Sequence, residues 1–379
     1  MPAALGPGLT EAAADAAVVD LWWVRVPLRT PFVASHGTET DREVVLVRVT
    51  AGDGATGWGE CDTLAAPTYT AEHTAGAFAV LRDLLVPAVL AAELPAVAAL
   101  AATHPMATAA VEVALVDVRL RRAGRSLAEV LGADADVVPA AVVVGRSASV
   151  DDLVRRVAEA VEGGAPLVTC KVAPDWFAEP LRALRSTFPG IELAADANGA
   201  FGVDDARAVL AVADEVGLAY LEQPIAPADD GALVAWASAG ATPIALDESV
   251  VTPDDARRVL AAGAAVVNLK PARVGGLRRA WEVLEAIGEA GAGVFVGGLL
   301  ELGVGRATGL ALAAAVASRP GALPTDLGPS ARYVVEDLTP PIVAAGPGRV
   351  RVPAGPGLGV VPVRARVDHA TVAHAAVHP

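Results

Sequence analysis

Short apolar runs separated by helix-patterned stretches dominate the chain from its middle onward. LVTCK, IELAAD, LAYLE, PIALD and AAVVNLK each close on an ionisable residue: Lys171, Asp196, Glu222, Asp247 and Lys270. The steps between these five are 25, 26, 25 and 23 residues. A turn follows each run, then apolar positions at helical spacing. That rhythm predicts repeated strand–loop–helix units on a parallel sheet. VPAAVVVG, from Val138, predicts a continuous first strand, and Ser147 to Glu162 a helix opening at a Ser/Asp cluster. Gly293 to Gly298 predicts the seventh strand and Gly305 to Ser318 its helix. LPTDL, ending near Asp326, predicts an eighth strand with no helix after it. Eight strands with seven helices predict an α/β fold, a (β/α)7β barrel (modified TIM barrel), over residues 136–328.

The first 135 residues read differently. A loose tail runs to about residue 16. Val18 to Pro27, Glu43 to Thr50 and Gly57 to Glu60 predict strands. TPFVASHGTETDRE is expected as a loop between the first two, and Gly52-Asp53-Gly54 as a hairpin turn before the third. Thr70 to about Leu90 and Ala107 to Arg122 predict helices, the first opening at Thr70, Glu72 and His73. Strands followed by helices suggest a separate α+β domain. The segment 329–379, rich in Pro, Gly and Val, is expected to return and pack on it.

Composition removes several function classes. The chain is 54% hydrophobic but only 4% aromatic, so much of the excess is alanine and a helix-heavy globular protein is expected. A net charge of −15 argues against nucleic acid as a partner. The nearest approach to a membrane span, AVLAAELPAVAALAAT, is broken by Glu93 and Pro95, so no membrane span is expected. No basic start precedes an apolar core at the N-terminus, so no signal peptide is expected. Cys61 and Cys170 make no disulfide framework, which suits a reducing cytoplasm. The six histidines offer no spaced pair on a predicted strand or helix of the barrel, so zinc is not expected.

In a parallel barrel all strand C-termini lie at one mouth, where ligands bind. Asp196, Glu222 and Asp247 close three successive strands. Neighbouring strands are about 4.8 Å apart, so three anions there need a cation to join them. All-oxygen ligation points to Mg²⁺ first and Mn²⁺ second. Taken singly, each carboxylate is equally a rim charge; the register of the set points to chemistry. Lys171 and Lys270 end strands two and six and would face each other across the mouth. A substrate carboxylate at the metal then places its α-carbon between two ammonium groups. That is a layout for removing the α-proton of a small carboxylate, with metal and hydrogen bonds stabilising the enediolate. RVGGLRR after strand six has paired glycines that could cradle an anion at a helix N-terminus.

LVTCKVAP, AADANGAF, AYLEQP, ALDES, VVNLKPARVGG and GGLLELGVGRA resemble the enolase superfamily. More narrowly they are similar to the o-succinylbenzoate synthase and N-acylamino acid racemase family. VPLRTPFVASHGTETDREVVLVRV, GWGECDTLAAPTYTAE and GPGLGV share the likeness, so it spans nearly the whole chain. The resemblance implies an N-terminal capping domain on the barrel and an assembly of identical copies. It implies Mg²⁺ held by Asp196, Glu222 and Asp247, and acid/base roles for Lys171 and Lys270. Asn198 and Glu248 would orient these groups. Gly297, Gly298 and Glu301 would lie on the same rim. Loops near Ser35 to Thr40 and Thr63 to Tyr69 would close over the distal end of the substrate. The activities implied are Mg²⁺-dependent syn dehydration in menaquinone biosynthesis and racemisation of N-acylamino acids. Muconate-lactonising or dipeptide-epimerising chemistry fits less well; for the dipeptide epimerases, to which the resemblance gives a paired aspartate after strand eight, Asp326-Leu327-Gly328 offers only one.

One departure stands out. The family writes Lys-x-Lys at the end of strand two, and here the triplet is Thr169-Cys170-Lys171. By alternation Thr169 shares a face with Lys171, and Cys170 points into the helix layer. A neutral residue at 169 removes a charge that would lower the pKa of Lys171, so a more basic Lys171 is expected. A barrel that has lost its chemistry through that change is the remaining alternative.

Overall fold

A computed structural model describes residues 5–6, 8–34, 37–227 and 230–379. The N-terminal sheet is built from β1 (Ala16–Ala34), β2 (Gly37–Ala51) and β3 (Thr56–Cys61), all antiparallel. Side chains alternate between its faces. Val19, Leu21, Val45 and Val47 meet the helices of this unit. Trp22, Val24, Leu46 and Trp58 belong to the apolar cluster that continues into the barrel. The sheet is thus buried on both sides, which fixes its seat on the barrel. The expected return of the C-terminal segment takes the form of a fourth strand, Thr371–Val377, paired antiparallel with β1.

Three local expectations are corrected. The stretch read as a loop after Pro27 is a hairpin extension, with Phe32 opposite Glu39 and Val33 opposite Thr38. Its β-branched and aromatic residues pair although Pro, Gly and Ser surround them. The first helix opens at Thr74 rather than Thr70 and runs through a π turn, Leu81–Leu85, to Leu90. Glu72 is drawn away from its start: its carboxylate accepts from Met106 N (2.8 Å) and Ala107 N (3.1 Å), capping the helix Pro105–Arg122. Finally, VPAAVVVG is two strands. Val137–Pro139 pairs with Arg349–Arg351, and Val142–Val144 begins the barrel.

Among the described residues, seven barrel strands run parallel in sequence order. They are Val142–Val144, Val168–Lys171, Leu193–Asp196, Leu221–Glu222, Ile244–Leu246, Val266–Leu269 and Gly293–Val296. The expected eighth strand is reduced to two bridges, Val294 to Ala322 and Ala140 to Thr325. Leu323 N donates to Val294 O (2.9 Å) and Ala141 N to Thr325 O (2.8 Å), so this segment closes the barrel between strands seven and one. A helix follows each of the first seven strands, and only the short turn Ser330–Arg332 follows the eighth segment. Ala194, Tyr220, Ala245 and Phe295 fill the lumen, while Cys170, Leu193 and Leu246 face the helices. The period of two therefore sends Thr169 inward and Cys170 outward, as the sequence implies.

The helix Pro105–Arg122 lies against β3 because two glycines admit it. A Cβ at Gly59 would stand 1.9 Å from the Ala110 carbonyl, and one at Gly57 2.3 Å from Val118 N. Gly59→Ala is therefore expected to push backbone from backbone and cost about 1–3 kcal/mol. Calorimetric unfolding checks this, and an unchanged melting temperature would contradict the packing described.

Candidate active site

The strand ends deliver Lys171, Asp196, Glu222 and Lys270 to one cavity, and Asp247 lies beside it, hydrogen-bonded to Lys270. Lys171 is in register with Asp196, and Asp196 with Glu222. Asp247 and Lys270 stand one residue beyond strands five and six. All three carboxylates are buried, at 4%, 2% and 1% exposure for Asp196, Glu222 and Asp247. Lys171 and Lys270 both line the cavity, together with Glu222, Asn198 and Thr169. They are also the only two lysines in the sequence. Histidines aside, every other basic side chain is arginine, whose guanidinium does not deprotonate in proteins. The chain thus keeps its two titratable amines for this one place.

Lys171 Nζ donates to Asp196 Oδ2 and to Asn198 Oδ1, the latter at 2.8 Å. Asn198 adopts φ 43° and passes its Nδ2 to Glu248 Oε1 (3.0 Å). Lys270 Nζ donates to Asp247 Oδ2 and to the Tyr69 hydroxyl, each at 2.8 Å. Burial pulls Lys171 down, but Asp196 and Glu222 outweigh it and hold the amine above its ordinary value. Lys270 is likewise raised: burial opposes, Asp247 prevails, and Arg273 pulls partly back. Thr169 Oγ1 lies 3.4 Å from the Tyr220 hydroxyl, so a neutral pair stands at this end of strand two.

Four further side chains join the site, and two of them, Arg273 and Tyr69, escape the strand-end pattern. Arg273 gives Nη1 to Asp247 Oδ1 at 2.5 Å and to the Tyr69 hydroxyl at 2.5 Å. It lies in the turn after strand six, where no periodicity marks it. Tyr69 arrives from the capping unit and donates to Asp247 Oδ2 (2.7 Å). Asn268, two residues before Lys270 and so on the same face, gives Nδ2 to Glu222 Oε1 (2.6 Å). Asp326 lines the cavity from the closing segment; burial raises its carboxyl to about 7 against the pull of Lys270 and Lys171. The remaining expectations are placed as follows. Gly298 and Glu301 line the cavity, and Glu301 Oε1 accepts from Leu299 N (2.7 Å). Gly297 lies directly under Asn268. Ser35 is outside the described residues. The glycines of RVGGLRR do not cradle a free anion, because Glu112 Oε2 already accepts from Leu277 N (2.6 Å).

The three carboxylates fit a hard divalent cation in chemistry. Burial, then the charges of Asp196 and Asp247, drives Glu222 well above the usual carboxylate range, the signature of anions that need a shared cation. Their arrangement differs from the expected common cradle. Among the described residues, no three His, Cys, Asp or Glu side chains converge on one point. Arg273 and Lys270 engage the two oxygens of Asp247, and Lys171 engages Asp196. Burial opposes that pairing, yet the two cations hold the Asp247 carboxyl well below its ordinary value.

Residues 152–366 match the enolase C-terminal domain-like family, and residues 13–132 the mandelate racemase / muconate lactonizing enzyme N-terminal domain. The chain belongs to the enolase superfamily. An N-succinylamino acid racemase from Amycolatopsis is 40% identical, over 94% of this chain and 97% of that protein. An o-succinylbenzoate synthase from Geobacillus kaustophilus is 37% identical, over 92% of this chain and 94% of its own length. The solved structure of a probable mandelate racemase from Alicyclobacillus acidocaldarius superposes with a TM-score of 0.86 at 35% identity, covering 96% of this chain and 99% of that one. This superfamily member is an enzyme with its two amines at the barrel mouth. No helix among its described residues is long and apolar enough to cross a membrane.

Gly297 tests the geometry around Glu222. A Cβ there would meet Asn268 Oδ1 at 1.9 Å, the far end of a movable side chain. Gly297→Ala is expected to keep the fold and displace Asn268 from Glu222, lowering activity roughly 10–100-fold. Full activity in that variant, measured beside its melting curve, would contradict the role given to Asn268.

Proposed function

We propose that this protein is an o-succinylbenzoate synthase. It removes water from a succinyl-hydroxy-cyclohexadiene carboxylate (SHCHC) by syn elimination. The observation that carries the reading is the pair of lysines, the only two in the sequence, lining one cavity with buried carboxylates. The relatives named o-succinylbenzoate synthase support it. Asp196, Glu222 and Asp247 would hold Mg²⁺. When bound, Mg²⁺ supplies Lewis-acid stabilisation of the charge that develops on the substrate carboxylate.

Neutral Lys171 takes the α-proton at Nζ as the C–H bond breaks. The C–O bond to the departing hydroxyl then breaks, and Lys171 returns its proton so that water leaves. Lys270 stays an ammonium beside the enediolate, positioned by Tyr69 and Asp247. Asn198 and Glu248 keep Lys171 aimed. A second reading, racemisation of N-succinylamino acids, draws on the same two amines from strands two and six, one for each face of the α-carbon. The Amycolatopsis relative's name favours it.

Lys171→Ala is expected to cut dehydration by at least about 10²-fold, while Mg²⁺ still raises the melting temperature. Glu222→Gln is expected to lose that Mg²⁺-dependent rise as well. Turnover surviving in Lys171→Ala would contradict the assignment. The base must be neutral to act, and its carboxylate neighbours hold Lys171 above its ordinary pKa, so activity should climb on the basic side. Thr169→Lys adds a like charge on the same face and should move that climb to lower pH. A pH–rate profile unmoved by the substitution would show that residue 169 does not tune the base.

A further inference from the structure

Asp326 enters the reaction cavity from the segment that closes the barrel, and the steps above give it no task. Its backbone is pinned. The N–H donates to Val296 O (3.2 Å), and the carbonyl accepts from the Tyr333 hydroxyl (3.4 Å). Its side chain is not: Asp326 Oδ1 is buried and meets no donor among the described residues. The acids across the mouth are all engaged. Asp196 takes Lys171, Glu222 takes Asn268, Asp247 takes Lys270 and Arg273, and Glu248 takes Asn198. Both lysines act on Asp326 through their charge, yet their hydrogen bonds go to other partners. A buried acceptor without a donor is costly to keep, and such a group calls for an explanation.

The place of Asp326 in the barrel supplies one. The strands run in sequence order, with the closing segment between strands seven and one. Lys171 and Lys270, at the ends of strands two and six, therefore face each other, and Asp326 stands across the mouth from Glu222 at the end of strand four. An amino-acid substrate with its carboxylate towards Asp196, Glu222 and Asp247 has its α-carbon between the two amines. Its nitrogen and its side chain remain to be placed. The lumen below is filled by Tyr220 and Phe295. Leu64, Leu299 and Leu300 give the cavity an apolar wall that suits the side chain, which leaves the nitrogen to the side of strand eight. We propose that Asp326 accepts the amide N–H on the reacting α-carbon of an N-acylamino acid. The assignment rests on the racemisation reading and adds to it the contact that tells an amide from an otherwise similar carboxylic acid. An amide nitrogen offers one donor, and an N–H bond to a carboxylate is of the stronger, charge-assisted kind.

The test uses the full-length protein with Mg²⁺ and two substrates that differ at one atom. N-acetyl-phenylalanine has the N–H; its ester analogue, 2-acetoxy-3-phenylpropanoate, has oxygen there. In the parent, kcat/KM for α-proton exchange in D₂O should favour the amide. Asp326→Leu keeps a branched shape without an acceptor and should lower the amide-to-ester ratio about 10–100-fold, mainly through KM for the amide. Asp326→Asn keeps one carbonyl oxygen and should restore part of the ratio. An unchanged ratio in Asp326→Leu, or an equal fall for both compounds, would overturn the inference. Calorimetric binding separates it from the reading beneath. The parent should bind the amide more tightly than the ester, and Asp326→Leu should bind the two alike. If neither compound exchanges its α-proton while that difference holds, racemisation fails and the acceptor stands. If the parent binds both compounds alike, or neither, the acceptor is overturned.

Discussion

Carboxylates buried side by side are tolerated only where cations neutralise them, and the mouth of this barrel is arranged around that constraint. Asp196, Glu222, Asp247, Glu248 and Asp326 share one low-dielectric space. Lys171, Lys270 and Arg273 are set among them, and Asn198, Asn268 and Tyr69 share out the hydrogen bonds. Removing any cation leaves a buried anion without compensation. The same economy prepares the site for a divalent ion: Glu222 is raised by its neighbours and held by one neutral amide, so a cation at that point relieves more repulsion than it creates.

The division of labour between lysine and arginine follows from proton affinity. Structural positions for positive charge, on the helices and on strands β1 and β2, all use arginine. An arginine cannot act as a base, so the two amines mark where a proton is moved. Arg273 shows the complementary use. Burial opposes its charge, but Asp247 more than offsets this and keeps the guanidinium permanently protonated. It can therefore brace Asp247 and Tyr69 without competing for the substrate proton.

How much of this the sequence shows depends on whether a residue obeys a local period. The strand ends do: alternation fixes which side chains enter the lumen, and a repeat of about 25 residues fixes where each strand stops. Lys171, Asp196, Glu222, Asp247 and Lys270 were legible for that reason, and so was the opposite facing of Thr169 and Cys170. Arg273 was not, because it follows the strand in a turn where the period lapses. Tyr69 reaches Asp247 across a separation of 178 residues, and nothing local encodes that meeting. Glu112 closing the helix at Leu277 is hidden for the same reason. The division of VPAAVVVG is tertiary too: Val137–Pro139 is claimed by Arg349–Arg351, and Ala140 by the closing segment. An apolar run alone cannot show that it serves three partners.

The central claim is that the two lysines and three acids perform α-proton chemistry on a succinyl-bearing carboxylate. The most direct measurement is the loss of the diene absorbance of SHCHC on mixing with the purified protein and Mg²⁺. The account predicts rapid loss that stops when EDTA removes the metal and resumes when Mg²⁺ is restored. An absorbance that stays constant at saturating protein and Mg²⁺ would contradict it.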